Sequence, residues 1–201
     1  MNRQIARVIE DKKVLAVVIA FFLLAGYFGW RYLFNAFLPN EFQDARQISA
    51  EISRQIVELT SSTNNKIKDI NYSDWNGDYT KALELVRQAK EDNKDAFNQA
   101  VELSNKLKIM AEAIPEIRSS EKRQIAQEAV AIELSIITHF INYNKSIEDL
   151  LAVLENRFLT STEKYERDID VKLYEINTLV AGINNMNQQF SERMTKLDGK
   201  L

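Results

Sequence analysis

Residues 79–114 read YTKALELVRQAKEDNKDAFNQAVELSNKLKIMAEAI. Within them Tyr79, Ala82, Val86, Ala89, Asn93, Ala96, Ala100, Leu103, Leu107, Met110 and Ile114 alternate steps of three and four without a slip, and ten of these eleven are apolar. Such spacing lines residues along one side of an α-helix, because a turn takes about 3.6 residues. A stripe this long is a packing seam against another helix, with Tyr79, Val86, Asn93, Ala100, Leu103, Leu107 and Met110 as its candidate contact residues. Asn93 is the polar exception. One buried Asn in a seam sets register at a cost in stability, although an exposed position satisfies the sequence equally.

Working outward, the same period recurs on both sides. Ala45, Ile48, Ile52, Ile56, Leu59, Thr63, Ile67 and Ile70 predict a helix over about 42–70, ending before the turn-rich NYSDWNGDY of residues 71–79. Pro115 and Ser119-Ser120 mark the next boundary, and a third helix is expected over about 120–158. Its inward set of Ile125, Ala129, Ile132, Ile136, Phe140, Tyr143, Ile147, Leu150, Leu154 and Phe158 is widened by Val130, Ile137, Ile141 and Leu151. A face that wide meets neighbours on two sides. Thr160-x-x-Glu163 has the form of a capping box opening a fourth helix over about 161–198. Tyr165, Ile169, Ile176, Leu179, Ile183, Met186, Phe190 and Leu197 carry its heptad, which Lys172 and Arg193 interrupt.

Upstream the character changes. Val14 to Trp30, VLAVVIAFFLLAGYFGW, holds no charge. As a helix it rises about 25 Å, slightly short of a bilayer's hydrocarbon core, and the run Tyr32 to Leu38 can extend it as an interfacial segment. A buried core helix would show a polar face. A cleaved signal peptide would show small residues at a cleavage site, where Tyr27, Phe28, Trp30 and Tyr32 stand instead. The stretch therefore reads as a membrane anchor in contact with the lipid bilayer, with Val14, Leu15, Phe21, Phe22, Leu23, Leu24, Tyr27, Phe28, Trp30 and Arg31 as its anchoring residues. Ala16/Ala20 and Ala25/Gly29 have the small-xxx-small spacing that lets such helices pair, so a homo-oligomer is a further expectation.

Four Lys or Arg precede this span, and Arg31 and Arg46 follow it, which places the tail of residues 1–13 in the cytoplasm and residues 40–201 outside it. The expected fold is all-α: one N-terminal transmembrane helix, residues 14–38, followed by an elongated antiparallel bundle or coiled coil of about four long helices. The alternative is a pair of long hairpins that complete their cores by oligomerising.

From Pro39 onward 21 basic residues face 27 acidic ones, a balance that argues against nucleic acid as a partner. The chain has no cysteine, which removes disulfides, thiol nucleophiles and Cys-based zinc sites. Ser119-x-x-Lys122 and Ser161-x-x-Lys164 match one motif of penicillin-binding enzymes without its partners, and helix capping accounts for both serines. The lone histidine, His139, has Ile136 where a di-iron bundle needs Glu. Asp74-x-Asn76-x-Asp78 opens like a calcium loop but has Tyr79 and Leu85 at the positions for Gly and Glu. No catalytic residue, cofactor or metal ligand is assigned.

Gly77-Asp78-Tyr79-Thr80-Lys81-Ala82, with Ala89 seven positions beyond, resembles the second helix of a tetratricopeptide repeat. No second copy follows at that family's period of about 34 residues, so the chain is not placed in it. The functional expectation is a non-enzymatic, membrane-anchored helical bundle serving as a structural or scaffolding subunit that docks other membrane or envelope proteins by helix–helix contact. The alternative is an extracytoplasmic ligand-sensing bundle that signals through a partner, similar in architecture to the periplasmic sensors of chemoreceptors.

Overall fold

A computed structural model of the chain describes residues 38–160 and 165–198. These form four α-helices and no strand: α1 (Asn40–Trp75), α2 (Tyr79–Ala113), α3 (Ser120–Thr160) and α4 (Glu166–Leu197), with a 3₁₀ turn at Ile114–Glu116 between α2 and α3. The predicted anchor at Val14–Trp30 lies outside the described residues, as does Glu163, but the expected opening of the fourth helix at 161 by a capping box is corrected: Thr160 ends α3 with its hydroxyl donating to the Asn156 carbonyl at 2.7 Å, and α4 starts at Glu166 without a side-chain cap. No helix among the described residues is long and apolar enough to cross a membrane.

The helices pack as an antiparallel bundle in which α1 pairs with α2, α2 with α3, and α3 with α4. One end, the base, brings Ser49 of α1 against Met110 of α2 and Arg46 against Asp198 just past α4. At the opposite end Asp74 of α1 pairs with Arg157 of α3, and the Tyr79 ring stacks on Phe158 at 5.9 Å. Since α1 has 36 residues, the two ends are about 54 Å apart.

The connections follow from local chemistry. Gly77 takes the left-handed conformation, φ 73°, which a residue with a Cβ adopts only at a cost. Asp78 then caps α2, its carboxylate accepting from the Lys81 amide at 3.1 Å. Pro115 ends α2 in the 3₁₀ turn, and the Ser119 hydroxyl accepts from the Lys122 amide at the start of α3.

The predicted end of α1 is corrected as well. α1 does not stop at Ile70 but continues to Trp75, so the turn shrinks to Asn76, Gly77 and Asp78. The extra turn is held because Ser73 and Asp74 face inward and Asp74 finds a cation there. The inward stripe of α1 also differs in detail. Ile48 is exposed, while Ser49, Ser53 and Thr60 are buried: Ser49 stands seven residues from Phe42 and Ile56, and Ser53 and Thr60 stand in the row that continues at seven-residue steps to Ile67 and Asp74, all of them inward. In α3 the widened face behaves as its pattern implies: Val130, Ile137 and Leu151 are buried, and the helix contacts α2 on one side and α4 on the other. The two charges that interrupt the heptad of α4 reach the surface of α3, Lys172 to Asp149 and Arg193 to Glu128.

Outer faces carry charge ladders. Glu51, Arg54 and Glu58 on α1, and Glu84, Arg87 and Glu91 on α2, form the same i,i+3 and i,i+4 triad. Hydrogen bonds from Arg87 and then Gln88 hold the Glu84 carboxyl down at about 2. These groups are solvated and screened by salt, so they favour helix and solubility more than they hold the bundle together.

Candidate functional site

The α2 seam is occupied by the bundle itself. Val86, Asn93, Ala100, Leu103, Leu107 and Met110 are buried between helices, and only Tyr79, at the end of the row, is exposed. A surface already packed against α1 and α3 is closed to a partner, so any docking must use other residues.

Asn93 lies 3% exposed in mid-bundle, where its amide donates to the Asn144 carbonyl of α3 at 2.9 Å. The Asn144 side chain donates in turn to the Phe140 carbonyl, leaving its own oxygen without a partner. Nearby the buried Tyr143 hydroxyl donates to Asn64 of α1 at 3.3 Å, and burial pushes its pKa up to about 12. Tyr143 also stacks on Phe140. These groups join α1, α2 and α3 by contacts that a one-turn slip would break, which suits a register-setting layer. His139 is not among them. Its Nδ1 lies 2.9 Å from the Ser135 carbonyl, and its ring lies beside Gly182 of α4.

At the end opposite the base, Asp74 and Arg157 form a largely buried pair, Nη2 to Oδ2 2.9 Å, and Arg157 Nη1 is buried without a partner. Ile67, Ile70, Leu150, Leu154 and Leu173 line a cavity of about 20 Å³ beside them. That is room for one water-sized group.

Among the described residues Glu133 is a titratable group that stands apart from any partner. It stands half-buried on α3 between the buried turns of Val130 and Ile137, with no hydrogen-bond or ionic partner, and desolvation raises its pKa to about 7.

Exposed large apolar side chains gather at the same end as Arg157. Trp75 is 77% exposed and Tyr72 joins it on the outer face of α1. Leu159 is 66% exposed near the end of α3, Tyr79 opens α2, and Val171 and Tyr174, the latter 76% exposed, stand on the first turns of α4. Of these residues the periodicity singled out Tyr79 alone, and as a seam residue; Tyr72 and Trp75 fall in a stretch that reads as turn, and Leu159, Val171 and Tyr174 lie off the heptad. The available signal was the density of aromatic residues in NYSDWNGDY.

Among the described residues no group of three or more acidic or histidine side chains could hold a metal ion. No protein family matches the chain. Comparison with curated proteins and with solved structures likewise finds no match.

Proposed function

We propose that the chain is a single-pass, N-terminally anchored protein whose bundle works as a structural or scaffolding subunit of an envelope protein assembly. The observation that carries this reading is the distribution of its apolar surface. The long α2 seam is spent inside the bundle, while Trp75, the most exposed of the large apolar residues, stands the length of α1, about 54 Å, from Asn40, where the chain enters that helix. Apolar side chains exposed together mark contact sites more often than isolated ones do.

The uncharged Val14–Trp30 run supports the anchor, and the excess of Lys and Arg before it supports a cytoplasmic N-terminus with the bundle on the other face. Lipid and other envelope proteins are then the partners, with self-association through Ala16/Ala20 and Ala25/Gly29 as a further route. Among the described residues the sensing alternative has no specific observation in its favour; the cavity beside Arg157 has room for a water-sized group.

Crosslinking in native membranes, followed by mass spectrometry, tests the scaffold. Reproducible partners attached to the bundle are expected, and none being recovered would refute it. Protease added to spheroplasts is expected to digest the bundle; full protection would reverse the orientation.

A further inference from the structure

From the exposed side chains at the end of the bundle away from the base, we infer a docking surface for a basic, amphipathic polypeptide segment. The inference rests on the scaffold reading and names the chemistry of its partner. Trp75, Tyr72 and Leu159 supply the apolar contacts, with Tyr79 beside them at the start of α2 and Val171 and Tyr174 on the first turns of α4. They are held on a stiff platform, because the Asp74–Arg157 pair and the Tyr79–Phe158 stack tie the ends of α1, α2 and α3 together.

Charge decides which occupant fits. The cations Arg157, Lys90 and Lys172 at this end are already paired, with Asp74, Glu155 and Asp149. Of the side chains outside ion pairs, Asp69, Asp78, Glu166, Asp168 and Asp170 outnumber Lys68, Lys81 and Arg167. Anionic lipid and acidic peptides are repelled by this balance, and a second copy of the same surface would meet like charge. A Lys- or Arg-bearing helix meets attraction from the carboxylates and from the faces of Trp75 and the tyrosines, while its apolar side covers Leu159 and Val171.

The test uses the full chain in nanodiscs of zwitterionic lipid, with empty discs subtracted, and reads the anisotropy of two labelled helical peptides, one of Leu and Lys and one of Leu and Glu. The Leu-Lys peptide is expected to bind and the Leu-Glu peptide to fail. Trp75→Ala combined with Leu159→Ser should weaken binding about tenfold or more, as loss of a central Trp does at interfaces. Asp168→Lys with Asp170→Lys should weaken the basic peptide and favour the acidic one, most strongly at low salt. Phe97→Ser with Val101→Ser, on the side of α2, should leave binding unchanged. All these side chains are at least part-exposed, and circular dichroism checks that the fold is kept. Equal binding of both peptides, or no effect of the Trp75 and Leu159 changes, would overturn the inference. So would self-association of the chain that Trp75→Ala abolishes, which would make a second copy the occupant. If native crosslinks fall on the sides of the bundle instead, this inference fails while the scaffold stands.

Discussion

Asp74 and Arg157 are separated by 83 positions in the chain and by 2.9 Å in the fold. Neither is solvated enough to tolerate loss of the other, with side chains 6% and 14% exposed. Asp74→Ala strands a buried guanidinium and is expected to cost about 3 kcal/mol in urea denaturation, whereas Asp74→Leu with Arg157→Met should recover most of that loss. Glu133 gives a second test with the opposite dependence. Its folded-state pKa, about 7, lies above the ordinary value of 4.5, so between those values the folded chain holds a proton that the unfolded chain has released. Stability should therefore be full below about pH 4.5 as far as this group is concerned, and should fall as pH rises to about 7, by at most ~3 kcal/mol and by less given its partial contact with solvent. Glu133→Gln should flatten that part of the stability profile measured by chemical denaturation from pH 4 to 8.

Two glycines separate backbone demands from packing demands within and between helices. A Cβ at Gly77 would meet nothing within 4 Å, so Gly77→Ala should lower stability by about 1 kcal/mol through its positive φ alone. A Cβ at Gly182 would lie 3.6 Å from His139 Cδ2, an ordinary contact, so Gly182→Ala should raise stability by up to about 1 kcal/mol in thermal melts. Helices α2 and α3 were legible because their buried faces are apolar and long. The end of α1 was not, since Ser73-Asp74-Trp75 looks like turn until Arg157 is known to stand opposite. Ser49, Ser53 and Thr60 were equally opaque: small polar residues are found in cores and on surfaces, and these three are inward because they share heptad rows with Phe42, Ile56, Ile67 and Ile70. Asn93 was legible as an exception but not as a donor, because its acceptor is a backbone carbonyl of another helix. The exposed aromatic end was illegible for a related reason. Periodicity finds what packs inside, and a docking residue stands out only once the inside has been subtracted.

For the molecule as a whole, the strong pairings are between neighbours in sequence: α1 with α2, α2 with α3 and α3 with α4. Mostly local pairing of this kind favours rapid folding. The proposed anchor makes its own prediction at this scale. Full-length chain should sediment with membranes and resist alkaline carbonate, and Leu23→Arg with Leu24→Arg should release it to the soluble fraction, because two charges at mid-span cost about 5 kcal/mol or more on insertion scales. Retention of that variant in carbonate-washed membranes would count against a spanning helix.

The Arg46–Asp198 bridge closes the chain on itself: its two ion-paired oxygens are held at 3.0 and 3.1 Å by the guanidinium of α1, two turns beyond Pro39. The path that climbs through α1 and α3 thus comes back down to its starting level. A fluorophore placed at Asp198, level with Arg46, would report on events near the base, and one at Trp75, 29 residues further along α1, on events about 44 Å away, so the pair makes a ruler along the bundle's long axis. A reporter domain joined after α4 would hang beside the first helix and leave Trp75 uncovered.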